Sequence, residues 1–231
     1  METTKVSANE LLVSIRTANR LTYEYQKRIL EFISYFQMKF SLASNQIAAI
    51  KRDSNALSKV RTYANDYDDA NLKIFPDMWA WDFVYTNLME YYLGWTSRGK
   101  LEFCLSFIQM TDSGMFESTE SHKSWTSLDT YSDVNKSHSY GFFVIESKKT
   151  TIKNFDPLWN VDRDGMESWV KSAKDIVDHN ENEKSKYLVF RFDLADIANQ
   201  SSADKVLARF SDIVKENMEI ELIQPIEDSS E

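Results

Sequence analysis

Glu146 and Lys148 offer the clearest prospect of chemistry in this chain. They close the apolar run Tyr140–Lys148 and are separated by one residue. Residues two apart on a strand share a face. The carboxylate could therefore hold a divalent metal ion while the ammonium orients a water. Asp112, just past the apolar run Lys100–Met110, would supply a second carboxylate. His122, His138 and His179 have no partner at ligand spacing, and with Cys104 they are scattered too widely for a structural zinc site. No G-x-S-x-G nucleophile motif is present, and five isolated glycines form no phosphate cradle.

Aromatic residues are the other candidates. Ile74–Trp95 carries Trp79, Trp81, Phe83, Tyr85, Tyr91 and Tyr92. Such rings can build a core or line a binding groove, and core packing is the expectation because aromatics dominate core energetics. Tyr91 and Tyr92 are adjacent, so on a strand one of them faces away from the core. That outward ring is a binding candidate, together with Trp125 in the polar stretch Thr111–Ser139.

The elements that must position these residues follow from hydrophobic period. Residues 7–40 read as a long amphipathic helix, with Ser7 and Glu10 as a capping box. Leu11, Ile15, Ala18, Thr22, Tyr25, Ile29, Phe32, Phe36 and Lys39 step by four and three, all but the last apolar or nearly so. A break is expected near Ser41–Asn45, followed by more helix over Gln46–Val60, and Arg61–Asn71 reads as a polar linker. Trp79–Tyr85 alternates with period two, as a strand does. Tyr85–Trp95 and Lys100–Met110 flank Thr96–Gly99, which predicts a hairpin. Tyr140–Lys148 is a strand expected to pair with Lys100–Met110 across the long loop. Asp164–Asp178 reads as a helix, Tyr187–Leu194 as a strand, Ser201–Met218 as a helix opened by Ser201 and Asp204, and Glu219–Ile223 as a short last strand.

The expected fold is therefore α+β: a mixed, mainly antiparallel sheet of about five strands, with a long N-terminal helix and two C-terminal-half helices packed on it. Residues 1–60 would form a helical extension packed on, or exchanged with, a body over 72–225. Residues 226–231 would be a disordered acidic tail.

With Asp112, Glu146 and Lys148 so placed, the order helix, three strands, helix, strand over Trp79–Leu194 resembles the PD-(D/E)xK nucleases. That resemblance implies a metal-dependent nuclease or phosphodiesterase using Mg2+. Two features of this sequence depart from it. Asp112 and Glu146 are more widely spaced than the family's acids, and the net charge is −9.

Charge is unevenly spread. Residues 1–62 hold ten Lys/Arg against five Asp/Glu, whereas 63–231 hold seventeen against thirty-one. An acidic body disfavours nucleic acid, whose binding depends on neutralising phosphates. No run of apolar residues is long enough to span a membrane. Cys104 lies in an apolar run and reads as a buried small hydrophobe; one cysteine suits a reducing, cytoplasmic setting. The leading expectation is a non-enzymatic interaction or regulatory domain without cofactor, which meets a protein partner or a second copy through its N-terminal helix.

Overall fold

The structure is a computed structural model, and it describes residues 7–40, 48–52, 60–62, 88–98, 101–117, 134–148, 163–181 and 185–223. Ser7 opens the first helix, α1 (Ala8–Lys39), through the expected capping box. The Ser7 amide donates to Glu10 Oε2 at 2.8 Å, and the Glu10 amide donates to Ser7 Oγ at 3.3 Å. Two of the donors that a helix start leaves unpaired are satisfied this way.

Seven strands form one sheet: β1 (Ala48–Arg52), β2 (Val60–Thr62), β3 (Leu88–Arg98), β4 (Leu101–Met110), β5 (Tyr140–Lys148), β6 (Ile176–Glu181) and β7 (Ser185–Asp193). Their order is β2-β1-β3-β4-β5-β7-β6, and every described pairing is antiparallel. Among the described residues, the longer helices besides α1 are α2 (Arg163–Lys171) and α3 (Gln200–Met218), with short helical turns at Gly114–Glu117 and Leu194–Ile197. The α+β class thus holds, with more strands than expected.

Period-two alternation divides the sheet's side chains between two cores. On one face Tyr91, Leu93, Phe103, Leu105, Phe107, Phe143, Ile145, Leu188, Phe190 and Phe192 pack against α1 and α3. Phe143 stacks on Phe210 of α3 with ring centroids 4.8 Å apart and meets Phe36 of α1 edge-on at 5.1 Å. On the other face Cys104, Ile108, Phe142, Val144 and Val189 pack against Met166, Trp169 and Val170 of α2. Cys104 is buried, as expected.

The β3–β4 hairpin forms with Arg98 opposite Leu101, so its connection is residues 99–100 rather than Thr96–Gly99. The register shifts between Tyr92 and Gly94, and Gly94 takes φ 122°. Only glycine accepts such a φ without strain, and it lets β3 bulge while Leu93 stays in the core beside Tyr91. The expected β4–β5 pairing across the long loop is present.

Four expectations need correction. Gln46–Val60 was expected to be helical, but β1 lies within it and Val60 begins β2. A short apolar run fits either period, and the open edge of β3 provides strand partners. Asp164–Asp178 was expected to be one helix. Instead α2 ends at Lys171, and Ile176 and Val177 belong to β6. Arg191 on β7 closes that helix. Its Nη1 donates to the carbonyls of Trp169 and Val170 at 2.8 and 2.7 Å, and its Nη2 donates to that of Ser172 at 2.7 Å. The N-cap of α3 is Asn199, boxed with Ser202, rather than Ser201 with Asp204. Glu219–Ile223 is not a strand. Glu219 takes φ 61° as the left-handed cap of α3, which turns Ile220 and Leu222 into the core.

The strand expected over Trp79–Tyr85, the break at Ser41–Asn45, the Arg61–Asn71 linker apart from Arg61 and Thr62, and the acidic tail lie outside the described residues.

Candidate interaction surface

Of the carboxylates and lysine set out above, Asp112 and Glu146 are not brought together. Glu146 lies opposite Cys104, whereas Asp112 lies two residues beyond Met110, which pairs with Tyr140. At about 3.3 Å per residue, the six strand positions between Cys104 and Met110 alone separate them by roughly 20 Å. Asp112 has a local role: its Oδ1 accepts from the Gly114 amide at 2.8 Å and so opens the helical turn Gly114–Glu117. Lys148 is opposite Glu102 and Ser185 at the far end of β5. Among the described residues, no group of three or more His, Cys, Asp or Glu could hold a metal ion.

Tyr91 is fully buried and packs in the core that faces α1. The side chain of Tyr92 lies outside those described. Trp125 and His122 lie outside the described residues. His179 sits on β6. His138 helps join the two ends of the connection between β4 and β5. Its amide donates to Ser113 Oγ at 2.7 Å, its carbonyl accepts from the Ser113 amide at 2.9 Å, and its Nδ1 is 3.0 Å from Glu117 Oε1. Ser139 Oγ donates to the Thr111 carbonyl at 2.7 Å.

A cleft of about 550 Å³ lies between α3 and the adjoining ends of β5 and β7, lined by His138, Tyr140, Asp175, Arg191, Lys205 and Arg209 among others. Its charges are largely engaged with the protein itself. Arg209 pairs with Asp175, and Arg191 caps α2 while its guanidinium lies 4.9 Å from the centre of the Tyr140 ring. Burial pushes the Tyr140 phenol up; Arg191 opposes that shift, and Asp193 and Glu117 add to it.

Helix α1 offers the more distinctive surface. Its C-terminal half is anchored. Gln26, Ile29, Ile33, Phe36 and Phe40 are buried against the sheet and α3. A buried polar cluster fixes the register. Gln26 Nε2 donates to the Tyr91 hydroxyl at 2.6 Å, which donates to Gln109 Oε1 at 3.0 Å. Gln109 Nε2 in turn donates to Tyr25 Oη at 3.0 Å and to Gln26 Oε1 at 3.3 Å. Burial raises the Tyr25 phenol to about 12, partly offset by the Gln109 bond, and raises Tyr91 as well. Farther along, Gln37 donates to the Leu93 carbonyl at 2.8 Å, and Tyr35 donates a short hydrogen bond to Asp204 of α3. That bond, with help from Lys39 at 3.4 Å, holds Asp204 below the usual carboxylate range.

Among the described residues, nothing gives the N-terminal half such cover. Residues 7–21 are all exposed, and Leu11, Leu12, Ile15 and Leu21 retain 55%, 50%, 46% and 66% of their surface. At 1.5 Å per residue, the 17 residues from Ala8 to Glu24 extend roughly 25 Å. The seam Leu11, Ile15, Ala18, Thr22 lies on the same helix face as buried Ile29, Ile33, Phe36 and Phe40. One apolar stripe therefore runs the length of α1, and its own sheet covers only half of it. The sequence carried this stripe in full; where the cover stops was not readable from it.

A family model described as PM0109 matches residues 5–220, from the start of α1 to the residue after the α3 cap. No curated protein and no solved structure matches the chain. Among the described residues, no helix is long and apolar enough to cross a membrane.

Proposed function

This chain belongs to the PM0109 family, and we propose that it works as a non-enzymatic protein-interaction or regulatory domain whose contact element is the N-terminal half of α1. The observation that carries this is the uncovered continuation of the apolar stripe from Leu11 to Leu21. Contiguous apolar surface of this kind marks interaction sites in soluble proteins, and an amphipathic helix anchored at one end is a standard recognition element. The seam carries no lysine or arginine, so its chemistry suits another apolar protein surface better than nucleic acid. A reducing, cytoplasmic setting fits the single, buried thiol of Cys104.

A photo-crosslinking residue placed at Leu12 or Leu21 tests this directly. Intermolecular protein adducts are expected at both positions and not at a control position such as Lys205. Their absence at Leu12 and Leu21 under expression in the native cell would overturn the proposal.

A further inference from the structure

We infer that the partner of the uncovered half of α1 is a second copy of this chain, with the two helices packed antiparallel; this rests on the interaction function proposed above. When the pair is centred between Arg16 and Thr17, Ala8 of one copy lies opposite Tyr25 of the other. Thr22 and Tyr25 are the first partly buried residues of α1, so the pairing runs from the exposed segment to the edge of the sheet's own cover.

The seam is self-complementary in size. In that register Leu11 meets Thr22 of the second copy, and Ile15 meets its Ala18. Each layer sets a large side chain against a small one, as knobs-into-holes packing needs. The flanking positions are Leu12 with Asn19 and Ser14 with Leu21, and none of them is charged. The charges of this half are Glu10, Arg16, Arg20 and Glu24. On a wheel of about 100° per residue, each lies more than about 100° from the seam's centre. Like charges of two identical helices therefore do not meet across the interface. The same face contains no charged position that would select a different partner, which is the usual device for heterologous pairing. A two-fold arrangement of this kind is closed and does not propagate.

The contact uses about ten residues a side, the seam and its flanks, well short of the roughly 20–30 a side of a standard interface. A weak dimer is expected, with a dissociation constant in the micromolar range. Light scattering across micromolar concentrations should show the mass rising from 27.0 kDa towards twice that value. Ile15→Glu and Ala18→Lys should each leave the protein folded, by circular dichroism, and monomeric at every concentration. The double variant I15E/A18K should recover the dimer, because antiparallel pairing sets residue 15 against residue 18; parallel pairing would set like charges together and fail.

A wild-type protein that stays monomeric throughout, or a double variant that is not rescued, would overturn self-pairing. The interaction function would still stand if the crosslinks from Leu12 and Leu21 reached a different protein. A monomer whose melting temperature falls with I15E would mean that this chain's own residues cover the seam, and both proposals would fall.

Discussion

Replacing Tyr91 with Phe removes one oxygen atom from the contact that seats α1 on the sheet. That hydroxyl accepts from Gln26 at 2.6 Å and donates to Gln109 at 3.0 Å, and all three residues are buried. The ring itself stays. Its stacked contact with Phe107, with centroids 6.0 Å apart, is available to Phe as well. The loss is therefore almost purely polar. Without the hydroxyl, Gln26 Nε2 keeps only a 3.5 Å approach to Gln109 Oε1. A neutral hydrogen bond contributes about 1 kcal/mol net, and stranding a buried amide costs roughly 1–3 kcal/mol. Together these predict a destabilisation of about 2–4 kcal/mol. Urea titration should show the midpoint falling by about 1 M at unchanged slope, given slopes of roughly 1–3 kcal/mol/M. Adding Gln26→Leu should cost about 1 kcal/mol less than the two single changes summed, since both act on the same cluster. Hydrogen exchange should quicken over Gln26–Phe40. A Tyr91→Phe protein within about 0.5 kcal/mol of wild type would refute the view that this cluster fixes the helix.

Other changes read different parts of the fold. A Cβ at Gly141 would stand 2.7 Å from Phe192 Cε2 and 3.0 Å from Phe107 Cε2. Gly141→Ala should therefore cost about 1–3 kcal/mol by overpacking, and a thermal melt unchanged within a degree would contradict it. Arg191→Lys keeps the charge but loses the planar fork that reaches three carbonyls. A loss of roughly 1–3 kcal/mol, with faster exchange in α2 and β6, is expected, and unchanged exchange in both would argue against the capping role. Alkaline stability follows from Tyr25. Its phenol holds its proton more tightly when folded, so its contribution is complete below pH ~10, the unfolded value, and is lost as pH rises through about 12. The urea midpoint should be level up to pH ~10 and fall above it, and a decline beginning near neutrality would assign the transition to other groups.

How much of this was legible depends on whether the deciding partner was near in sequence. The capping box of α1 and the apolar faces of β5 and β7 are local patterns, and they appear where the residues predict. The end of α2 was missed because the residue that closes it, Arg191, lies about twenty positions downstream on another strand. β1 was missed because its pairing with β3 is tertiary. Asp112 and Glu146 look like a potential pair in the sequence, but antiparallel register puts them at opposite ends of the same two strands. The Gln26–Tyr91–Gln109 cluster gave no signal at all, since a polar residue on an otherwise apolar stripe ordinarily reads as a boundary. Here Gln26 marks the point on α1 where burial begins.

The closure between Thr111–Ser113 and His138–Ser139 bears on how the chain can vary. Because the two ends are joined to each other beside the sheet, the alignment of β4 with β5 does not rely on the length of chain between them. Doubling a loop costs only about 0.6 kcal/mol in closure entropy, and junctions of this kind accept inserted sequence well. A relative could carry a longer segment there, or an experimenter a fluorescent domain, while Leu105 still faces Ile145.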